Sequence, residues 1–264
     1  GPKSDPHFES LRFIDSAGSW APDSERFAFV VIQGGDNRLA ILDVESRTVT
    51  DRIELPGIGA ITNPAWSPNG RSIAFSGQSG GITDIYVMDV ETKQVTRLTN
   101  DRYGDLQPAW SPDGTQIAFA SERGEGTDLT ALKYGPLRIS VINVASKQVD
   151  TLPMFDIARH INPQWAPDGR SIWFIADPDG ISDIFQYDIE SGQISRRTNV
   201  ATGVSGITEL SPALSVAARK GNVVYSMFNE GGWEIHALDP ATAPSTEISF
   251  VSKVDAPGAI LPPA

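Results

Sequence analysis

Gln107-Pro108-Ala109-Trp110-Ser111-Pro112-Asp113-Gly114-Thr115-Gln116-Ile117-Ala118-Phe119-Ala120 is the unit from which this chain is built. Pro108 to Ser111 reads as a short strand with Trp110 at its centre, and Ser-Pro-Asp-Gly supplies a turn. Proline sets φ at the first central position, Asp can accept from the backbone ahead of it, and Gly takes the positive φ that closes a hairpin. Ile117-Ala118-Phe119 alternates large, small, large, the period of a packed strand. Near-copies begin at Ala17, Asn63 and Asn162, and a degraded one begins at Ser211.

In the copy from Asn63, the unit continues with Asp84-Ile85-Tyr86-Val87-Met88-Asp89-Val90, a turn at residues 91–94, and Val95-Thr96-Arg97-Leu98. Each unit thus supplies four antiparallel strands. Trp20, Trp66, Trp110 and Trp165 mark four units, and Leu214 stands at the expected place in a fifth. Four strands recurring roughly every 40–55 residues are the signature of a β-propeller blade. A β-sandwich has no reason to reuse one turn sequence.

The expected fold is therefore all-β, a propeller of four-stranded antiparallel blades at residues 15–55, 61–98, 105–152, 160–198 and 209–251. A sixth blade lost upstream is the alternative count. Residues 1–14 read as a tag scar, Gly1-Pro2, with an inter-blade connector. Residues 15–254 read as the propeller and 255–264 as a proline-rich tail or linker.

The 264 residues, 40% of them hydrophobic, suffice for a sizeable core. The 24 glycines and 19 prolines fall at repeat-locked turns. A formal net charge of −12 argues against nucleic acid or an anionic membrane as partner, since both need basic patches. With no cysteine, disulfides, thiolate metal sites and a cysteine nucleophile are excluded. No apolar run reaches membrane-span length, so no direct membrane insertion of this segment is expected, and no signal peptide is seen in it.

Strand order places the loops between the second and third strands, and the connectors between blades, on one face, called the top. The tight Ser-Pro-Asp-Gly turns mark the opposite face. Five residues before each unit marker, where the connector enters the innermost strand, stand Asp15, Ile61, Asp105, His160 and Glu209. Carboxylates and an imidazole around one channel mouth could bind the cationic end of a peptide. Asp15, Asp105 and Glu209 could hold a hard, calcium-type cation. Equally, each carboxylate could cap backbone N–H groups in its own turn.

A second column, Arg38, Asp84, Arg138, Asp183 and Glu234, has adjacent members of opposite sign in several cases and suggests inter-blade ion pairs of structural value. The third blade carries an insertion at residues 122–136, presenting Arg123, Asp128, Lys133 and Tyr134 on the top face. Its mixed charge and tyrosine suit protein recognition, or an idle solvated excursion.

Catalytic signatures are sparse. The histidines are His7, His160 and His236, and no Gly-x-Ser-x-Gly elbow, His-Glu-x-x-His motif or phosphate-binding glycine loop occurs. No catalytic residue and no cofactor are assigned beyond that cation.

Pro-x-Trp-Ser-Pro-Asp-Gly-x-x-Ile-Ala-Phe, with Asp-Ile-Tyr in the third strand, resembles the TolB-like, WD-related propeller repeat over nearly the whole chain. The run from Gly203 to Ala217 also resembles part of large bacterial envelope proteins, where such a propeller accompanies peptidase-like and barrel-like regions. The resemblance implies a non-catalytic scaffold in the periplasm or cell envelope, binding a protein or peptide through its top face and channel mouth. Other domains of a parent chain are implied partners. Two alternatives stand beside it: a substrate-gating propeller of a larger peptidase-like or envelope enzyme, and a metal-dependent enzyme using the channel as its pocket. TolB has six blades and a helical N-terminal domain, whereas five blades and no such domain are read here.

Overall fold

A computed structural model describes residues 10–11, 16–124 and 126–248. All the regular elements in them are strands, arranged as five antiparallel sheets. The second blade shows the plan. β6 (Ala60–Trp66), β7 (Ser72–Ser79), β8 (Ile82–Asp89) and β9 (Val95–Arg97) pair in chain order, each with the next. Blade three repeats it with β10 (Asp105–Trp110), β11 (Gln116–Ser121), β12 (Arg138–Asn143) and β13 (Val149–Thr151). Blade four uses β14 (His160–Trp165), β15 (Ser171–Ala176), β16 (Asp183–Asp188) and β17 (Ile194–Arg196).

Blade one has its innermost strand in two pieces. β1 (Ser10–Leu11) and β2 (Ser19–Trp20) both pair with β3 (Arg26–Gln33), which continues to β4 (Asp36–Asp43) and β5 (Thr48–Glu54). Ser10 and Leu11 thus belong to the first sheet, although the sequence places them in a connector. Blade five consists of β18 (Leu214–Val216), β19 (Val223–Asn229) and β20 (Gly232–Leu238). The strand that follows, β21 (Thr246–Ile248), leaves its own blade and pairs with β17, extending blade four. The proline-rich tail lies outside the described residues.

First strands of neighbouring blades lie against one another, β10 between β6 and β14, so these strands line the axis. Each carries one extra residue, at Asn63, Gln107 and Asn162, where the register with the second strand slips. All three have positive φ (51°, 57° and 54°), a bulge conformation rarely adopted by a residue preceding proline. The blades stack through apolar faces. Trp66, Ile73 and Phe75 of blade two pack on Ala28, Val30, Leu39 and Ile41 of blade one. Equivalent clusters join blades two and three, three and four, and four and five.

The turns after the first strands interlock as well. A Cβ on Gly70 would lie 3.2 Å from Pro22 of the preceding blade, and one on Gly114 would lie 3.3 Å from Pro68. Gly169 on Pro112 and Gly221 on Pro167 continue the series. The Pro and Gly of the repeated motif therefore serve two purposes, turning the chain and seating the next blade.

Pairing also corrects the register of blade five. Trp66 faces Ile73, and Trp165 faces Ile172, each the last pair before the turn. In blade five that pair is Val216 and Val223, so Val216, not Leu214, stands where tryptophan stands elsewhere.

Candidate binding face

Asp105 begins the innermost strand of blade three and is fully buried. Ser121 Oγ donates to it at 2.7 Å, and the Arg123 guanidinium pairs with both Asp105 and Asp101. Burial pushes the Asp105 carboxyl up to about 6, although Arg123 and Ser121 pull the other way. Its Oδ2 is buried without a hydrogen-bond partner.

His160, the matching residue of blade four, is also fully buried. Its ring stacks on Phe155 and leans on Phe174, and Nδ1 lies 3.0 Å from the Leu137 carbonyl, to which it donates. Desolvation pushes the imidazole down to about 4. This histidine lies in the apolar layer between blades three and four, as Ile61 lies in the layer between blades one and two, rather than at an open channel mouth.

Glu209 belongs elsewhere again. With Val216 in the tryptophan place, the residue five positions earlier is Ser211, and Glu209 sits out on the top connector. Its exposed carboxylate pairs with Arg159, which also approaches Asp177 at 3.5 Å. Asp15 lies outside the described residues. The expected convergence of carboxylates and imidazole therefore fails for the described members. No three His, Asp or Glu side chains come together to hold a metal ion among the described residues.

The second column pairs within blades rather than between them. Asp84 pairs with Arg97 of the adjoining outer strand and lies 3.3 Å from Thr99 Oγ1. Asp183 repeats this with Arg196 at 3.7 Å and Thr198 Oγ1 at 2.7 Å. The two threonines also accept the N–H of Ile85 and Ile184. An Arg-x-Thr at one offset from Asp-Ile in both repeats was the available signal. Arg38 reaches Glu54 at 3.4 Å, Arg138 donates to the Phe155 and Asp156 carbonyls, and Glu234 pairs with His236 in the same strand.

The insertion is a structured loop. Asp128 and Lys133 exchange both backbone hydrogen bonds, at 2.8 and 2.9 Å, and Asp128 Oδ1 accepts from Thr130 and Ala131. Arg123 anchors its base through Asp105 and Asp101, while Tyr134 stands exposed. Asp128 is thus a turn residue and Arg123 a brace.

What sequence reasoning missed is apolar. Leu132 and Tyr134 on the insertion, Ile157 on the connector after blade three, Ile181 on a blade-four loop, and Ile207 and Leu210 on the connector after blade four are all exposed. All six lie on the top face of three consecutive blades. Their loops are cross-tied: Arg159 links the connectors to Asp177 and Glu209, and Val204 N–H donates to the Ser182 carbonyl at 2.6 Å. Below them the innermost strands are stitched together by amides. Gln107 Oε1 accepts the N–H of Asn162, and Asn162 Oδ1 accepts those of Ala213 and Leu214. An open hollow of about 460 Å³ between blades one and two is lined largely by glycine-rich loops, with Asp36 and Glu54 at its edge.

Residues 14–129 match the family model of the TolB beta propeller domain. No curated protein sequence matches the chain. Among solved structures, TolB from Acinetobacter baumannii superposes with a TM-score of 0.65 at 23% identity, over 84% of this chain and 51% of that one. The chain thus spans about half the length of that TolB. A TolB candidate from Agrobacterium tumefaciens gives 0.69 at 18% identity, over 88% of this chain and 79% of that one. Puromycin hydrolase gives 0.61 at 16% identity, with 88% of this chain covering 38% of that enzyme. The repeated motif, the blade geometry and these likenesses together show the chain to be a β-propeller, similar over residues 14–129 to the TolB beta propeller domain.

Proposed function

We propose that this propeller is a non-catalytic protein-binding scaffold of the cell envelope that receives its partner on the top face of blades three to five. The observation that carries the reading is the set of six exposed apolar side chains on consecutive top-face loops. Exposed apolar surface held on fixed loops and rimmed by charge is the chemistry of a protein interface. Arg123, Asp128, Arg159, Asp177 and Glu209 provide that charged rim; Arg159 pairs with Asp177 and Glu209, Arg123 with Asp101 and Asp105, and Asp128 accepts from its own turn, which holds the loops in shape before a partner arrives. The envelope location rests on the likeness to TolB.

The test is quantitative binding to a partner captured from envelope extract by the intact chain. The double variant Ile157→Asp/Ile207→Asp should weaken that complex at least about tenfold while leaving the thermal midpoint in place, since both side chains are exposed. Undiminished binding by that variant would move the site off this face.

A further inference from the structure

The exposed apolar residues of the top face stand among carboxylates. Ile157 lies on the connector at residues 153–159, Ile181 on the blade-four loop at 177–182, and Ile207 and Leu210 on the connector at 198–210. Three of the four sit one or two residues from an acid, in Asp156-Ile157, Asp179-Gly180-Ile181 and Glu209-Leu210. Together the three segments hold four carboxylates, Asp156, Asp177, Asp179 and Glu209, against one cation, Arg159. They form one surface. A Cβ on Gly203 would lie 3.5 Å from Ile181 Cγ2, the Arg159 N–H donates to Asp177 Oδ1 at 2.8 Å, and the Arg159 guanidinium pairs with Glu209.

The ion pairs at this surface are lopsided. In the pairs Arg138–Asp156, Arg159–Glu209 and Arg196–Asp179, the arginine side chains are 7%, 21% and 20% exposed, and the carboxylates 55%, 77% and 51%. The guanidinium groups are engaged inside the fold: Arg138 donates to the Phe155 and Asp156 carbonyls, and Arg196 lies 5.3 Å above the Phe185 ring. An ionised carboxylate offers roughly four lone-pair sites, so Asp156, Asp179 and Glu209 keep spare acceptors on the solvent side. An arriving chain therefore meets apolar side chains interleaved with negative charge.

We infer that the partner of this face is a cationic amphipathic segment, one in which apolar side chains alternate with lysine or arginine; the inference rests on the top-face interface proposed above. Its apolar side chains cover Ile157, Ile181, Ile207 and Leu210, and its cations complete the coordination of Asp156, Asp179 and Glu209. An acidic or uncharged apolar segment would cover those carboxylates without supplying a cation, and burying an unpaired charge is costly. The carboxylates thus select against such partners as well as for cationic ones. The formal net charge of −12 adds long-range attraction of the same sign.

Two labelled peptides serve as probes, one of repeated Leu-Lys and one of repeated Leu-Glu, titrated against the full chain by fluorescence anisotropy. The Leu-Lys peptide should bind at least about tenfold more tightly than the Leu-Glu peptide. Asp156→Lys/Glu209→Lys should abolish that preference. Glu45→Lys/Glu91→Lys, which changes the net charge equally at exposed outer turns of blades one and two, should retain it. Ile157→Ser/Ile207→Ser should weaken the Leu-Lys peptide several-fold, which attraction to net charge alone would not produce.

Equal binding of the two peptides, a preference that survives Asp156→Lys/Glu209→Lys, or one lost to the same extent in Glu45→Lys/Glu91→Lys would overturn the inference. If a captured partner is lost by Ile157→Asp/Ile207→Asp while the two peptides bind equally, the interface stands and its cationic partner falls. Capture indifferent to that variant removes the interface and this inference with it.

Discussion

Gln107 and Asn162 are joined across two blades: the Gln107 side-chain carbonyl accepts the Asn162 backbone N–H at 2.7 Å, while its Nε2 donates to the Leu210 carbonyl at 2.8 Å. Both residues are buried, so removal of the amide strands groups that water cannot reach. Gln107→Leu should destabilise the chain by about 2–4 kcal/mol, read as a lower urea midpoint with unchanged slope. Gln107→Glu, at a pH where its carboxyl is protonated, keeps an acceptor for the Asn162 N–H and an O–H that can donate to the Leu210 carbonyl, and so should cost less than the leucine variant.

Asn162 Oδ1 accepts two backbone N–H groups at 2.8 Å each, from Ala213 and Leu214. It also holds φ at 54°, which alanine tolerates poorly. Asn162→Ala is expected to cost about 2–4 kcal/mol. Because the residue shares a network with Gln107, the double variant should lose measurably less than the sum of the two single variants.

Asp105 and His160 oppose each other in pH. The carboxyl titrates near 6 when folded against an ordinary value of 3.8, so the folded chain holds the extra proton and stability falls as pH rises from 4 to 6. The imidazole titrates near 4 when folded against 6.5, so the unfolded chain holds the extra proton and stability rises with pH over that window. Wild type should therefore be nearly flat there. His160→Ile should lose stability on going from pH 4 to 6, and Asp105→Asn should gain it; parallel slopes would contradict these environments.

Glu209 and Asp105 should respond to charge reversal in opposite ways. Glu209→Lys breaks an exposed pair with Arg159 and should shift stability by no more than about 1 kcal/mol. Asp105→Lys places a second cation beside Arg123 in a fully buried site and should prevent folding at 37 °C, as circular dichroism would show.

Gly70→Ala combines a φ of 69° with a Cβ 3.2 Å from the ring of Pro22. About 1–2 kcal/mol of destabilisation is expected in thermal or urea unfolding, more than at Gly80, which has a similar φ but open space around it.

The blade plan was legible because its chemistry is local. Turn residues sit in fixed order after Trp20, Trp66, Trp110 and Trp165, and alternation follows them. Blade five was misread by two residues because Leu214 lies near the expected spacing while the turn motif has gone, and only the pairing of Val216 with Val223 sets the register. That slip carried Glu209 into a column to which Ser211 belongs. Position in a column also says nothing about side-chain direction: His160 looks polar in sequence but enters an apolar layer beside Phe155 and Phe174. The apolar top-face residues had no periodic signature, since Ile157 and Ile207 are single residues in irregular connectors. Equally, β21 pairs with β17 through contacts that no local motif encodes.

The bond from Gln107 to Leu210 skips blade four, which is itself bonded to both blades three and five through Asn162. Three blades linked pairwise form a triangle, the one planar frame that cannot shear without stretching a member. The loops bearing Leu132, Ile157 and Ile207 stand on that frame, so a displacement of any one of blades three, four and five must strain a bond to each of the other two.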